Sequence, residues 1–253
     1  MQAIFLGTGT SQGVPVIACD CEVCLSINAK DKRLRSSILI KTGNQNFIID
    51  AGPDFRQQML RENVKSLRAV LITHEHVDHV FGLDDIRSFN WVQKNPMDIY
   101  AEERVQEAIK RIFHYVFADN KYPGIPKMKL HTVKNNPFKI DGVEFIPIRC
   151  YHHKLPVYGF RVGDISYITD TNFIPPGEMK KMKGSQVLII NALRREKHIS
   201  HFNLDEALEV IKEIGPEKAY LTHLSHGFGL HVEIEKELPE NVFLGYDGLK
   251  INC

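Results

Sequence analysis

Short apolar runs recur along the chain, many of them bounded by glycine, proline, asparagine or aspartate. This punctuation predicts strands separated by turns. Strands are expected over 3–6, 37–41, 46–49, 69–72, 143–148, 157–162, 165–168, 187–190 and 219–221, and a further short one ends at Ile99-Tyr100. Thr42-Gly43-Asn44 and Gly163-Asp164 are hairpin signals between neighbouring runs, and 242–244 with 249–251 read as a last strand pair. Helical spacing runs over 55–62 and over 103–117, the latter through Val105, Ala108, Ile109, Ile112 and Phe113. A third helix is expected over 204–214, with Asn203 and Glu206 forming a capping box. Residues 119–129, with Pro123, Gly124 and Pro126, read as a loop overhanging the site. No linker or low-complexity segment interrupts the pattern, so one domain is expected over 1–253.

Composition narrows the class. A hydrophobic content of 43% with 25% charged residues is that of an ordinary globular protein. The 32 basic and 31 acidic residues nearly cancel, leaving no strong electrostatic footprint for nucleic acid. No apolar run approaches a membrane span, and the start reads as a first strand, not a signal peptide. Of the five cysteines, three are clustered and one is terminal, which argues against a disulfide framework and for a reducing, cytoplasmic setting.

The polar residues that close the strands carry the chemistry. The run 69–72 empties into Thr73-His74-Glu75-His76-Val77-Asp78-His79, which puts three imidazoles and a carboxylate on one short loop. Such a set suits a borderline divalent metal, Zn²⁺, Mn²⁺ or Fe²⁺. Asp50, His152, Asp170 and His223 also lie at or just beyond the ends of apolar runs, at the crevice where α/β proteins place their sites. Asp50 is expected to brace a ligand through a hydrogen bond. Gly7–Gly13 matches neither a dinucleotide fingerprint nor a P-loop, and is expected to be a turn beside the site. Cys19-Asp20-Cys21-Glu22-Val23-Cys24 supplies three thiols for a tetrahedral Zn²⁺ that still needs a fourth ligand. His114 and His131 read as structural or surface residues, and His198 and His231 as surface residues.

The ordered set His74, His76, Asp78, His79, His152, Asp170 and His223 resembles that of the metallo-β-lactamase superfamily over essentially the whole chain. That resemblance implies an α/β fold of the αββα sandwich type, with metals at the edge of two facing sheets. The early Cys19, Cys21 and Cys24 with the late Thr222-His223-Leu224-Ser225-His226 is most similar to the phosphoribosyl 1,2-cyclic phosphate phosphodiesterases of phosphonate breakdown. It implies two catalytic divalent metals. His74, His76 and His152 would hold one, Asp78, His79 and His223 the other, and Asp170 would bridge them. Glu75 and Val77 then read as spacers. Neighbouring side chains on extended backbone point opposite ways, so one of His152 and His153 faces the metals. The run His152-His153-Lys154-Leu155 resembles the family's His-x-Lys-Leu and favours His152, with His153 as the alternative. Cys19, Cys21, Cys24 and His226 would form a structural Zn²⁺ site. His201, just before the last helix, corresponds to the family's catalytic histidine, and an imidazole suits proton transfer near neutral pH.

The expected reaction is hydrolysis of a small phosphodiester, a ribose cyclic phosphate being the leading candidate, by a hydroxide held between two metals about 3.5–4 Å apart. The alternatives are a tRNA 3′-end processing nuclease, for which no extended basic arm is visible, and a non-hydrolytic role like that of the pyrroloquinoline quinone biosynthesis relatives. Neither a nucleic acid nor a membrane is expected as partner, and the resemblance implies a homodimer.

Overall fold

The computed structural model describes residues 1–120 and 122–253. The strands are β1 Gln2–Gly7, β2 Ser37–Thr42, β3 Gln45–Ile49, β4 Ala69–Leu71, β5 Met97–Ala101, β6 Met128–Thr132, β7 Phe138–Ile140, β8 Val143–His152, β9 Leu155–Val162, β10 Ile165–Ile168, β11 Val187–Asn191, β12 Lys218–Thr222, β13 Val242–Leu244 and β14 Lys250–Asn252. They form two sheets, ordered β14-β1-β2-β3-β4-β5-β6 and β13-β12-β11-β10-β9-β8-β7. Each sheet is antiparallel on one side and parallel on the other, β3 to β6 in the first and β10 to β13 in the second.

Alternation along the strands explains the layering. Ala3, Phe5, Ile38, Ile40, Phe47, Ile49, Ala69 and Leu71 of the first sheet pack against Phe145, Tyr158, Phe160, Tyr167, Val187 and Ile189 of the second. The residues between them point the other way. Ile4, Leu6, Leu39, Ile48 and Val70 meet Phe55, Met59, Phe89, Val105 and Ile109 on helices outside the first sheet. Leu188, Ile190, Ala219 and Leu221 meet Leu204, Ala207, Ile211 and Ile214 outside the second. Both faces of each sheet are therefore apolar, and the period of two sorts the side chains into three cores. The result is the expected αββα sandwich.

Local departures have physical causes. The runs at 242–244 and 249–251 do not pair: β13 adds to β12 in the second sheet and β14 to β1 in the first. The five residues between them cross from sheet to sheet. A side chain at Gly245 would meet the Leu221 carbonyl and the Phe5 ring at 2.9 Å, so the crossing is close. The expected helix over 103–117 breaks at Phe113 into Glu103–Ile112 and His114–Phe117. Phe113 stays buried, as do Ile109 before it and Val116 after it, so apolar spacing continues across the break. β6 begins inside the expected 119–129 loop, of which Lys121 lies outside the described residues. β8 runs on to His152, four residues past its expected end.

Candidate metal centre

At the carboxyl end of β4 the chain leaves the sheet through Thr73 and turns at His76, which caps the single helical turn Val77–Val80. That turn buries Asp78 and His79 together, while Val77 faces out. Asp50, fully buried at the end of β3, fixes the arrangement. It accepts from the Thr73 amide at 2.8 Å and from His79 Nδ1 at 2.7 Å, which leaves His79 Nε2 directed at the other donors. Asp50, expected to brace a ligand, holds the His79 ring here. The turn after Asp50 approaches the motif so closely that a Cβ at Gly52 would lie 2.0 Å from the Asp78 carbonyl oxygen.

The second sheet supplies the remaining donors. Asp170 lies 2.9 Å from His223, 3.4 Å from His79, 3.8 Å from His74 and 3.4 Å from His201. Asp170 and His223 follow β10 and β12 with φ of 51° and 56°, a left-handed backbone that turns their side chains back toward the sheet edge. The grouped donors are Asp78, His79, Asp170 and His223, then His74, His76 and Asp170, then His152, Asp170 and His201. His152 donates from Nδ1 to the Ser200 carbonyl at 2.8 Å, whereas His153 is exposed with φ 56° and stands outside every group. His201 presents Nε2 to Asp170, and its Nδ1 lies 3.1 Å from Ser200 Oγ and 3.2 Å from His198 Nδ1. His76 is exposed, so the cluster opens to solvent on that side.

Electrostatics decide whether a cation fits. Burial holds His74 well below the ordinary imidazole range and brings His152 to about 4, so both are neutral and can offer a lone pair. Burial also opposes charge on Asp170, but His223 and His79 outweigh it and keep this carboxyl ionised. His79 is pulled down by burial and pushed further up by Asp78, Asp170 and Asp50, so without metal it carries a proton among three carboxylates. The buried Nε2 atoms of His74 and His79 have no hydrogen-bond partner. Neutral His74 and His152, ionised Asp170, the orphaned Nε2 of His74 and a His79 proton held where a cation would replace it are a donor set that fits divalent metal.

A separate cluster joins Cys19, Cys21 and Cys24 to His226. His226 Nδ1 sits 3.2 Å from Cys19 Sγ, 3.4 Å from Cys21 Sγ and 3.6 Å from Cys24 Sγ. The Cys24 amide and His226 favour the Cys21 thiolate, lowering it to about 6, while burial raises Cys24 to about 11. Three sulfurs around one imidazole nitrogen suit tetrahedral Zn²⁺.

A family model described as a β-lactamase superfamily domain matches residues 45–224, the span that holds every donor of the first cluster. The chain belongs to the metallo-β-lactamase superfamily. Within it, the chain is similar to a solved diphosphatase of the PhnP family, at 36% identity, TM-score 0.93, and coverage of 100% of this chain and 97% of that one. This superfamily member is a hydrolase related to the PhnP family. A Porphyromonas gingivalis protein named octanoyltransferase is 44% identical over 99% of this chain, which covers 51% of that protein. The chain spans about half the length of the curated relatives it matches. Zn²⁺-bound PqqB from Methylobacterium extorquens shares the fold, with TM-score 0.79 at 18% identity over the full length of both chains.

Three residues expected to be surface groups or a spacer have partners in the fold. His198 is not a free surface group, since it meets His201. His231 is wholly buried, and its Nδ1 faces Arg33 at 3.2 Å. Glu75 is more than a spacer, because it is paired with Arg104. The Glu75–Arg104 and Arg33–His231 contacts join separate elements, whereas His198 and His201 lie three residues apart in one loop.

Proposed function

We propose that this hydrolase is a metal-dependent phosphodiesterase acting on a small, cyclic ribose phosphodiester. The single observation that carries this reading is Asp170, one buried carboxylate within reach of both halves of the donor cluster. In this assignment His74, His76 and His152 hold one divalent cation and Asp78, His79 and His223 another, with Asp170 shared. When bound, such a pair of Zn²⁺, Mn²⁺ or Fe²⁺ ions would supply Lewis acidity toward phosphoryl oxygens and lower the pKa of bound water to about 7. A third ion, Zn²⁺ on Cys19, Cys21, Cys24 and His226, is structural.

The chain's own residues do the rest. Asp50 and the Ser200 carbonyl fix the rings of His79 and His152 through their Nδ1 atoms. Hydrolysis adds hydroxyl to phosphorus and a proton to the departing oxygen. His201 is the group for that proton: its Nε2 faces the cluster, while Nδ1 is held on the outer side by Ser200 and His198. The similarity to a PhnP-family diphosphatase supports phosphoryl chemistry. Nearly balanced charge supports a small substrate over RNA, the clustered thiols support a cytoplasmic setting, and no described helix is long and apolar enough to cross a membrane. A screen of cyclic ribose phosphates, linear diesters and tRNA precursors with the metal-reconstituted protein, read beside elemental analysis, tests the proposal. Turnover of the cyclic esters is expected; activity confined to tRNA would overturn it.

A further inference from the structure

We propose that Arg104 is a positioning residue that ties the loop carrying His74 and His76 to the hairpin carrying His152. Arg104 pairs with Glu75, the residue between the two histidines, and its other terminal nitrogen donates to the Pro156 carbonyl at 2.7 Å. Pro156 stands on β9, one step beyond Leu155, which pairs with His152 across the hairpin. One guanidinium therefore spans two segments that belong to different sheets, and no strand ladder joins β4 to β9. The fork of Arg can make both bonds at once, which an ammonium does less well.

Helix stability does not explain this arginine. It occupies the first turn of the helix Glu103–Ile112, the end where the macrodipole disfavours a cation. Its neighbours instead extend the link. Glu102 lies 3.7 Å from Arg104 and takes a two-pronged bond from Arg149, at 2.6 and 3.1 Å. Arg149 stacks 3.8 Å over Tyr158, and the Tyr158 amide donates to the Thr73 carbonyl at 3.1 Å, immediately before His74. With side chains 34% and 22% exposed, the Arg104–Glu75 pair adds little to overall stability; its effect is on where three imidazoles sit.

The inference rests on the ligand assignment proposed above, and metal binding tests the two separately. Zinc-loaded wild type, Arg104→Ala, Arg104→Lys, Glu75→Ala and the double alanine variant would be titrated with a chelator and their zinc counted. The expected result is that Arg104→Ala and Glu75→Ala each weaken one ion of the pair by about 10–100-fold, with the other ion and the cysteine-bound zinc retained. Arg104→Lys should fall between, and the double variant should be no worse than either single one. Wild-type affinity at both pair sites in the alanine variants, or simultaneous loss of all three ions, would overturn the role of Arg104. A wild type that holds only the cysteine-bound zinc would instead sink the ligand assignment beneath it.

Discussion

Asp50 takes the Nδ1 proton of His79 at 2.7 Å with both side chains fully buried, and the same carboxylate receives the Thr73 amide. One residue thus aims a donor and ties the start of the histidine loop to β3. Asp50→Ala should leave the Thr73 amide buried without an acceptor, costing about 1–3 kcal/mol. Zinc content should fall by one ion of the pair, because His79 loses its orientation. Thermal unfolding and elemental analysis of the same sample check both; an unchanged melting temperature with full zinc would refute this role.

His201→Ala should cut turnover by about 10²–10⁴-fold while leaving the metal content intact, the size of effect that positioned proton transfer supplies. The donor group of His152, Asp170 and His201 sets the contrary outcome. Loss of an ion in that variant would make His201 a ligand.

Cys21→Ser should remove zinc from the cysteine cluster alone. The Cys24 amide and His226 lower the Cys21 thiol to about 6, favouring the thiolate, and a serine hydroxyl does not replace it. Zinc should drop by one equivalent and the melting temperature should fall, with the pair still occupied. Zinc content equal to wild type would refute a structural ion.

Gly52→Ala adds a methyl group whose position lies 2.0 Å from the Asp78 carbonyl oxygen, a backbone atom that no rotamer change can move. The loop must shift, so the variant should melt earlier and bind the ion assigned to Asp78 more weakly. Calorimetry with chelator competition measures both; normal zinc affinity would mean the turn absorbs the clash without moving Asp78.

Much of this was legible because strand alternation and donor spacing are local. Runs such as 37–41 and 46–49 with the Thr42-Gly43-Asn44 turn between them mark a hairpin, and Asp50 at the end of the second is expected to brace a ligand. Three histidines and Asp78 within six residues announce a donor cluster before any fold is known. What stayed hidden depends on packing between distant elements. The destination of β14 is fixed by the Gly245 crossing, the helix break at Phe113 preserves apolar spacing, and the partners of Glu75 and His231 come from other segments.

Asp50, Asp170 and His223 all hold left-handed backbone, at φ 68°, 51° and 56°, where glycine is the relaxed choice. At Asp50 the buried bonds from Thr73 and His79 offset that strain; at Asp170 and His223 the offset comes from the cluster itself. A descendant of this chain that abandoned its chemistry should drift toward glycine or asparagine at these last two positions and relax its backbone there. The identities of residues 170 and 223 in a lineage would then serve as a record of whether the cluster is still in use.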